Sequence, residues 1–150
     1  MNPRLAARSC AQWGAVVLLV LSPATGLFAD ADDDFGLAQN LFRDAGDYAT
    51  SAQLFAEFIR NYPGDPRQAD AALLLARSYA RSQRCADAIS AFEAFYDLHT
   101  EHIAAADARR ERADCLQTLG SFGRAAGAYE DVQRLYSEAQ YAAASLLSAA

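Results

Sequence analysis

Few side chains in this sequence could do chemistry, and their spacing limits what that chemistry is. The two histidines stand together, His99 and His102, with Glu101 between them. A zinc site needs three or four protein ligands, and no other histidine exists to complete a set. They therefore read as solvated loop residues, and neither a metal nor a cofactor is expected. The same scarcity argues against a hydrolase, because no motif places the many serines and aspartates around a histidine. A glycine-rich phosphate loop is missing as well, so the chain is not expected to be an enzyme. What remains is Cys85 with Cys115, and the arginine pair Arg77 and Arg81. Those arginines are four apart and share one face if the segment is helical, and a guanidinium fork can hold a carboxylate through two parallel hydrogen bonds.

Charge excludes one class of partner. All 13 basic residues are Arg, against 19 acids, giving a net charge of -6. Nucleic-acid affinity comes largely from cations that displace counterions from phosphates, so no nucleic-acid partner is expected. A chain of 150 residues that is 53% hydrophobic can bury one modest core.

The first residues belong to another physical class. Arg4 and Arg8 precede the apolar run "GAVVLLVL" (14–21), which Pro23 and small residues follow up to Ala29 and Ala31. Eight apolar residues fall far short of the roughly 20 a spanning helix needs. Residues 1–31 therefore read as a cleavable signal peptide and its junction, cut after Ala29 or Ala31. Cys10 precedes the apolar run, whereas a lipidated cysteine would follow it. The expectation is an exported, periplasmic or secreted protein with 11 Arg against 18 acids, and membrane contact only if the leader is retained. Such a compartment is oxidising, and Cys85 and Cys115 are the cysteines left in it.

Beyond Ala31 there are only one Val, three Ile and three Thr among many Ala, Leu, Arg, Glu and Gln, a mixture that favours helix. Turn signals divide it. Asp65, Pro66 and Gln68 read as a helix cap, a proline at the first helical position and a box partner. Gly46 and Gly120 mark tight breaks, and Ser137 with Gln140 suggests another start. The spacing predicts seven helices: 33–45, 48–61, 66–82, 85–98, 101–118, 121–135 and 138–149.

The sequence repeats with a period of 37. At that offset Asp33, Asp70 and Asp107 coincide, as do Phe42, Tyr79 and Leu116; Tyr48, Cys85 and Phe122; Ser51, Ala88 and Ala125; Phe55, Phe92 and Tyr129; and Phe58, Phe95 and Val132. Gly46 and Gly120 share a column with Gln83. One amphipathic helix needs apolar residues every three or four positions, but not the return of small and aromatic residues in register.

With "LARSY" (75–79) ending one helix and "ADAISAFEAF" (86–95) in the next, the pattern resembles the tetratricopeptide repeat. The resemblance implies an all-α, right-handed superhelix of antiparallel helix pairs. It spans three repeats, about 32–68, 69–105 and 106–142, with 143–150 as a partial fourth, whose uncovered apolar face implies a truncated sequence, a partner or self-association. The third copy departs from the family. Arg112 stands where Ala38 and Leu75 do, the closing proline appears only as Pro63, and Gly123 and Gly127 weaken its second helix by roughly 1 kcal/mol each. The long period is similar to that of bacterial envelope-assembly and Tol-Pal-associated repeat proteins, which implies a scaffold in envelope assembly or division.

The family also implies a concave groove, made by the first helix of each repeat, that grips a protein or an extended peptide. Register puts Asn40, Arg43 and Asp44 of the first repeat on it, with Arg77 and Arg81 of the second and Arg110, Asp114 and Gln117 of the third. Arg77 and Arg81 would form a cationic spot on an acidic surface. Cys85 opens one helix and Cys115 nears the end of another, which the register makes neighbours. They are either a disulfide closing about 31 residues, worth roughly 3–4 kcal/mol, or two small buried thiols packed as hydrophobes. The C-terminal helix leaves an apolar face, hence a candidate surface for self-association. Two alternatives stay open: a membrane-tethered structural subunit, or the repeat module of a longer protein with a further domain downstream.

Overall fold

The computed structural model describes residues 25–148, with side chains over 30–137. Arg4, Arg8, Cys10 and the apolar run of the expected leader lie outside these residues, as do the side chains of the expected self-association surface. The elements are α1 (Thr25–Asn40), which continues into a π-helical turn (Leu41–Ala45), then α2 (Tyr48–Asn61), α3 (Gln68–Arg81), α4 (Cys85–Leu98), α5 (Ala105–Thr118) and α6 (Phe122–Ser148). Each helix packs on its neighbours in sequence, and α3 also touches α5. The described residues thus form a solenoid of helix pairs, α1/α2, α3/α4 and α5/α6, with no strand among them.

Small residues set the helix spacing. Ser51, Ala88 and Ala125, one column of the 37-residue register, are all buried. A side chain of one or two heavy atoms there lets the facing backbone come close, and the larger neighbours fill the space beside it. Phe55, Phe92, Phe58, Phe95 and Val132 are buried accordingly. In the first repeat the Ser51 hydroxyl donates to the Ala38 carbonyl at 2.9 Å and sits 3.3 Å from the Ser78 hydroxyl, so its polar atom is satisfied inside the seam. Packing loosens in the third repeat: Phe122, in register with buried Cys85, is 68% exposed.

The turns inside the pairs share one backbone conformation. Gly46, Gln83 and Gly120 have φ of 66°, 63° and 74°. This left-handed residue lets the next amide reach back to the helix just ended, from Arg84 to the Tyr79 carbonyl and from Ser121 to the Leu116 carbonyl, both at 2.9 Å. In the first repeat the corresponding bond, from Asp47, lands on Leu41, one residue earlier in register. The π-helical turn absorbs that extra residue.

The other end of each pair is clasped by a side chain. Tyr62 donates its hydroxyl to Asp34 at 2.7 Å, and Tyr136 to Asp107 at 3.2 Å. Between them His102 Nε2 faces Asp70 at 3.3 Å, while its Nδ1 accepts the Ala104 amide at 3.2 Å. His99 and His102 both pack on Phe95, so these histidines close a turn, and among the described residues no group of three candidate metal ligands forms.

Several helix boundaries differ from the sequence reading. Asp65 does not form the expected box with Gln68. Its carboxylate accepts from the Arg67 amide and guanidinium at 2.7–2.8 Å, while the Gln68 amide donates to the Ile59 and Tyr62 carbonyls at the end of α2. Arg67 also pairs with Asp32 at 2.7 Å and lies over the Phe35 and Phe58 rings, so the turn riveted by Asp65 delays α3 to Gln68. The histidine turn similarly delays α5 to Ala105. The break expected at Ser137 does not occur: α6 runs unbroken for 27 residues, giving six α-helices among the described residues where seven were expected. The first copy of this turn carries Pro63, Gly64 and Pro66, whereas the third has Ser137, Glu138, Ala139 and Gln140, none of which stops a helix. Ser137 bonds back to the Gln133 carbonyl at 2.9 Å instead of capping a new start. At the other end α1 runs through both expected cleavage points, Ala29 and Ala31.

Gln83 carries its positive φ without the freedom of glycine, at a cost of roughly 1 kcal/mol. Gln83→Gly should therefore raise unfolding stability by up to about 1 kcal/mol in urea denaturation, and Gly120→Ala should lower it by a similar amount.

Candidate functional site

The contact between α3 and α5 leaves a groove on the inner face of the solenoid. Its volume is about 520 Å³, with Phe42 of the π-helical turn at one end and Arg77, Arg81, Arg110, Glu111 and Asp114 on its walls. Cys85 and Cys115 also line it. A second hollow of about 350 Å³ lies beyond Arg77, between α1 and α3, and includes Gln39, Arg43, Arg67 and Asp70. Of the eight residues the register puts on the concave face, Arg77, Arg81, Arg110 and Asp114 meet in the groove, and Arg43 lies in the neighbouring hollow. Asn40 and Asp44 are exposed but line neither, and Gln117 also lies outside both.

The expected cationic pair is a single cation. Arg77 is not free: its Nε and Nη2 reach both oxygens of Glu111 at 2.6–3.0 Å, with both side chains half-buried. It works as a tie between consecutive first helices. Arg110 is paired within its own helix to Asp114, at 3.3 Å. Asp114 also accepts the Tyr129 hydroxyl at 2.5 Å, and Gln117 receives it at 3.1 Å, so these two expected ligand contacts hold α5 to α6. Arg81 differs. Among the described residues it has no carboxylate partner, and its guanidinium lies 6.0 Å from the Tyr48 ring centroid, exposed at the rim.

The expected neighbours Cys85 and Cys115 are indeed adjacent, but both are free, buried thiols in this structure and no bridge joins them. Burial, and then the Cys85 thiol beside it, push the Cys115 thiol up to about 12.

Sequence reasoning missed Glu111 and Phe42. Glu111 follows Arg77 by 34 residues, one repeat less one helical turn. Opposite charges at that offset on successive first helices were the available signal. Phe42 enters the register only as the counterpart of Tyr79 and Leu116, and the π-helical turn brings it to the groove end.

Helix pairs stacked into a solenoid, with a polar groove along the first helices, define an interaction scaffold. The chain belongs to the tetratricopeptide repeat family: the model of that repeat matches residues 37–102 and 73–140. The structure is similar to a crystal structure of nearly identical TPR-like repeats from a putative kinesin light chain of Podospora anserina. The TM-score is 0.61 and the sequence identity 17%, over 75% of this chain and 57% of that one. This chain thus spans little more than half that protein's crystallised length, and at such identity the likeness concerns the fold. No curated protein matches the sequence.

Two outcomes test the site's electrostatics. In a double-mutant cycle of Arg77→Ala and Glu111→Ala, urea denaturation should give a coupling of about 1 kcal/mol. The hydrogen bond to Asp114 pushes the Tyr129 phenol up to about 12. A raised phenol favours the neutral form in the fold, so this contribution is complete below about pH 10 and is lost as pH rises towards 12. Tyrosinate absorbance should show late-titrating phenols, Tyr62 among them, whose amplitude Tyr129→Phe lowers by one phenol.

Proposed function

We propose that this chain is an exported, periplasmic scaffold or adaptor that catalyses no reaction and holds a protein or extended peptide in its concave groove during envelope assembly or division. The observation that carries the binding mode is the exposed Arg81 guanidinium beside Tyr48, at the rim of a groove whose other cations, Arg77 and Arg110, are already matched to Glu111 and Asp114. An incoming carboxylate meets one available fork there and a stacked ring beneath it, so the reading commits to an acidic segment. Export is supported by the order of Arg4 and Arg8, the apolar run, Pro23 and small residues. The envelope role rests on the 37-residue period together with that leader. Among the described residues no helix is long and apolar enough to cross a membrane.

Arg81 alone is the clean test, because replacing Arg77 would also release Glu111. Arg81→Glu should weaken binding of an acidic extended peptide at least tenfold in fluorescence anisotropy, with unchanged helicity by circular dichroism. Unaltered affinity would remove Arg81 from the site, and recovery of the native protein from the cytoplasmic fraction alone would end the periplasmic reading.

A further inference from the structure

The groove floor holds a feature that peptide capture does not use. Cys85 is the first residue of α4, and Cys115 lies one turn from the end of α5. They belong to different repeats, yet both are free and buried in one apolar cluster, and both line the same groove. The chain between them includes all of α4, the histidine turn and most of α5. The seam they share is an apolar layer that includes Phe92, Phe95 and Leu116, with one polar tie beside it. Arg112 reaches Glu93 at 2.6–2.9 Å, in a register position held by Ala38 and Leu75 in the other repeats.

We propose that Cys85 and Cys115 are a reversible dithiol–disulfide site that covalently joins the second and third repeats beneath the groove, with a small-molecule or protein disulfide as the oxidant. The Cys85 thiol gives its proton to solvent and attacks one sulfur of the oxidant. A mixed disulfide forms and one thiolate leaves. The Cys115 thiol then loses its proton and displaces the oxidant's second sulfur, closing the Cys85–Cys115 bond. Two cysteine thiols lose two electrons and two protons, and the oxidant's disulfide becomes two thiols. The groove supplies the approach, since both sulfurs line it. Burial pushes the Cys115 thiol up, so closure waits on its deprotonation. The reduced pair in this structure is the open state of that site.

The full-length protein carrying Cys10→Ser, so that Cys85 and Cys115 are its only thiols, is incubated with oxidised glutathione at neutral pH. Intact-mass spectrometry should show a glutathione adduct that converts to a species two hydrogens lighter than the starting protein. Peptide mapping without reductant should place the bond between Cys85 and Cys115, and the melting temperature should rise by roughly 10 °C, returning on reduction. Adding Cys115→Ala should leave the adduct stable on Cys85, which tests access to that thiol without depending on closure. Two thiols that stay fully alkylatable in the folded protein, or bridges found only between separate chains, would overturn the proposal. Neither outcome bears on peptide capture, which is read separately through Arg81.

Discussion

Close approach between helices at one small residue per repeat is the constraint on which the rest of the molecule depends. Ser51, Ala88 and Ala125 sit where the second helix of each pair meets its neighbours, and all are buried. Any longer side chain there would push the helices apart, and the phenylalanines beside these positions would then fill the space incompletely. Because α2 and α4 are held in this way, the helices that follow them, α3 and α5, converge on the inner face, and the groove follows from that convergence. The interactions above and below the small column, left-handed turns at one end and side-chain clasps at the other, fix the angle at which each pair leaves the seam.

Much of this was legible in the sequence because it is periodic. A 37-residue offset that superposes small on small and aromatic on aromatic gives both the helix pairing and the inner face, and the structure places Arg77, Arg81, Arg110 and Asp114 there together. What the sequence does not disclose is partner choice among polar groups. Register shows which face Arg77 occupies but not that Glu111, on a different helix, reaches it first. The same limit applies to Asp65: a capping signal was present, but the adjacent Arg67 takes the carboxylate. At Ser137 the local signal of a helix start was real yet lacked a stop before it, and a helix continues wherever nothing interrupts it.

The polar seams show how a short solenoid is held with few apolar residues to spare. Arg67 is buttressed by Asp65 and Asp32 and lies over two phenylalanine rings. It thereby fastens the first repeat to the second through charge and dispersion at once. Arg109 stacks on Tyr96 and Arg84 on Tyr79 in the same manner. An all-arginine complement of cations suits this architecture. A planar guanidinium can lie on a ring while bonding a carboxylate at its edge, which a lysine ammonium cannot do with the same geometry.

The Arg112–Glu93 contact bears on how the molecule comes apart. In a linear array each repeat is stabilised only by its neighbours, so unfolding begins at the weakest boundary and spreads from it. The boundary between α4 and α5 carries the Arg112–Glu93 pair and the boundary before α3 carries Arg67–Asp32, each beside an apolar layer, and ion pairs weaken as salt accumulates. Rising ionic strength therefore loosens a tie at both seams alike, and what then holds the array together is the phenylalanine layers, Phe55 with Phe58 on one side and Phe92 with Phe95 on the other.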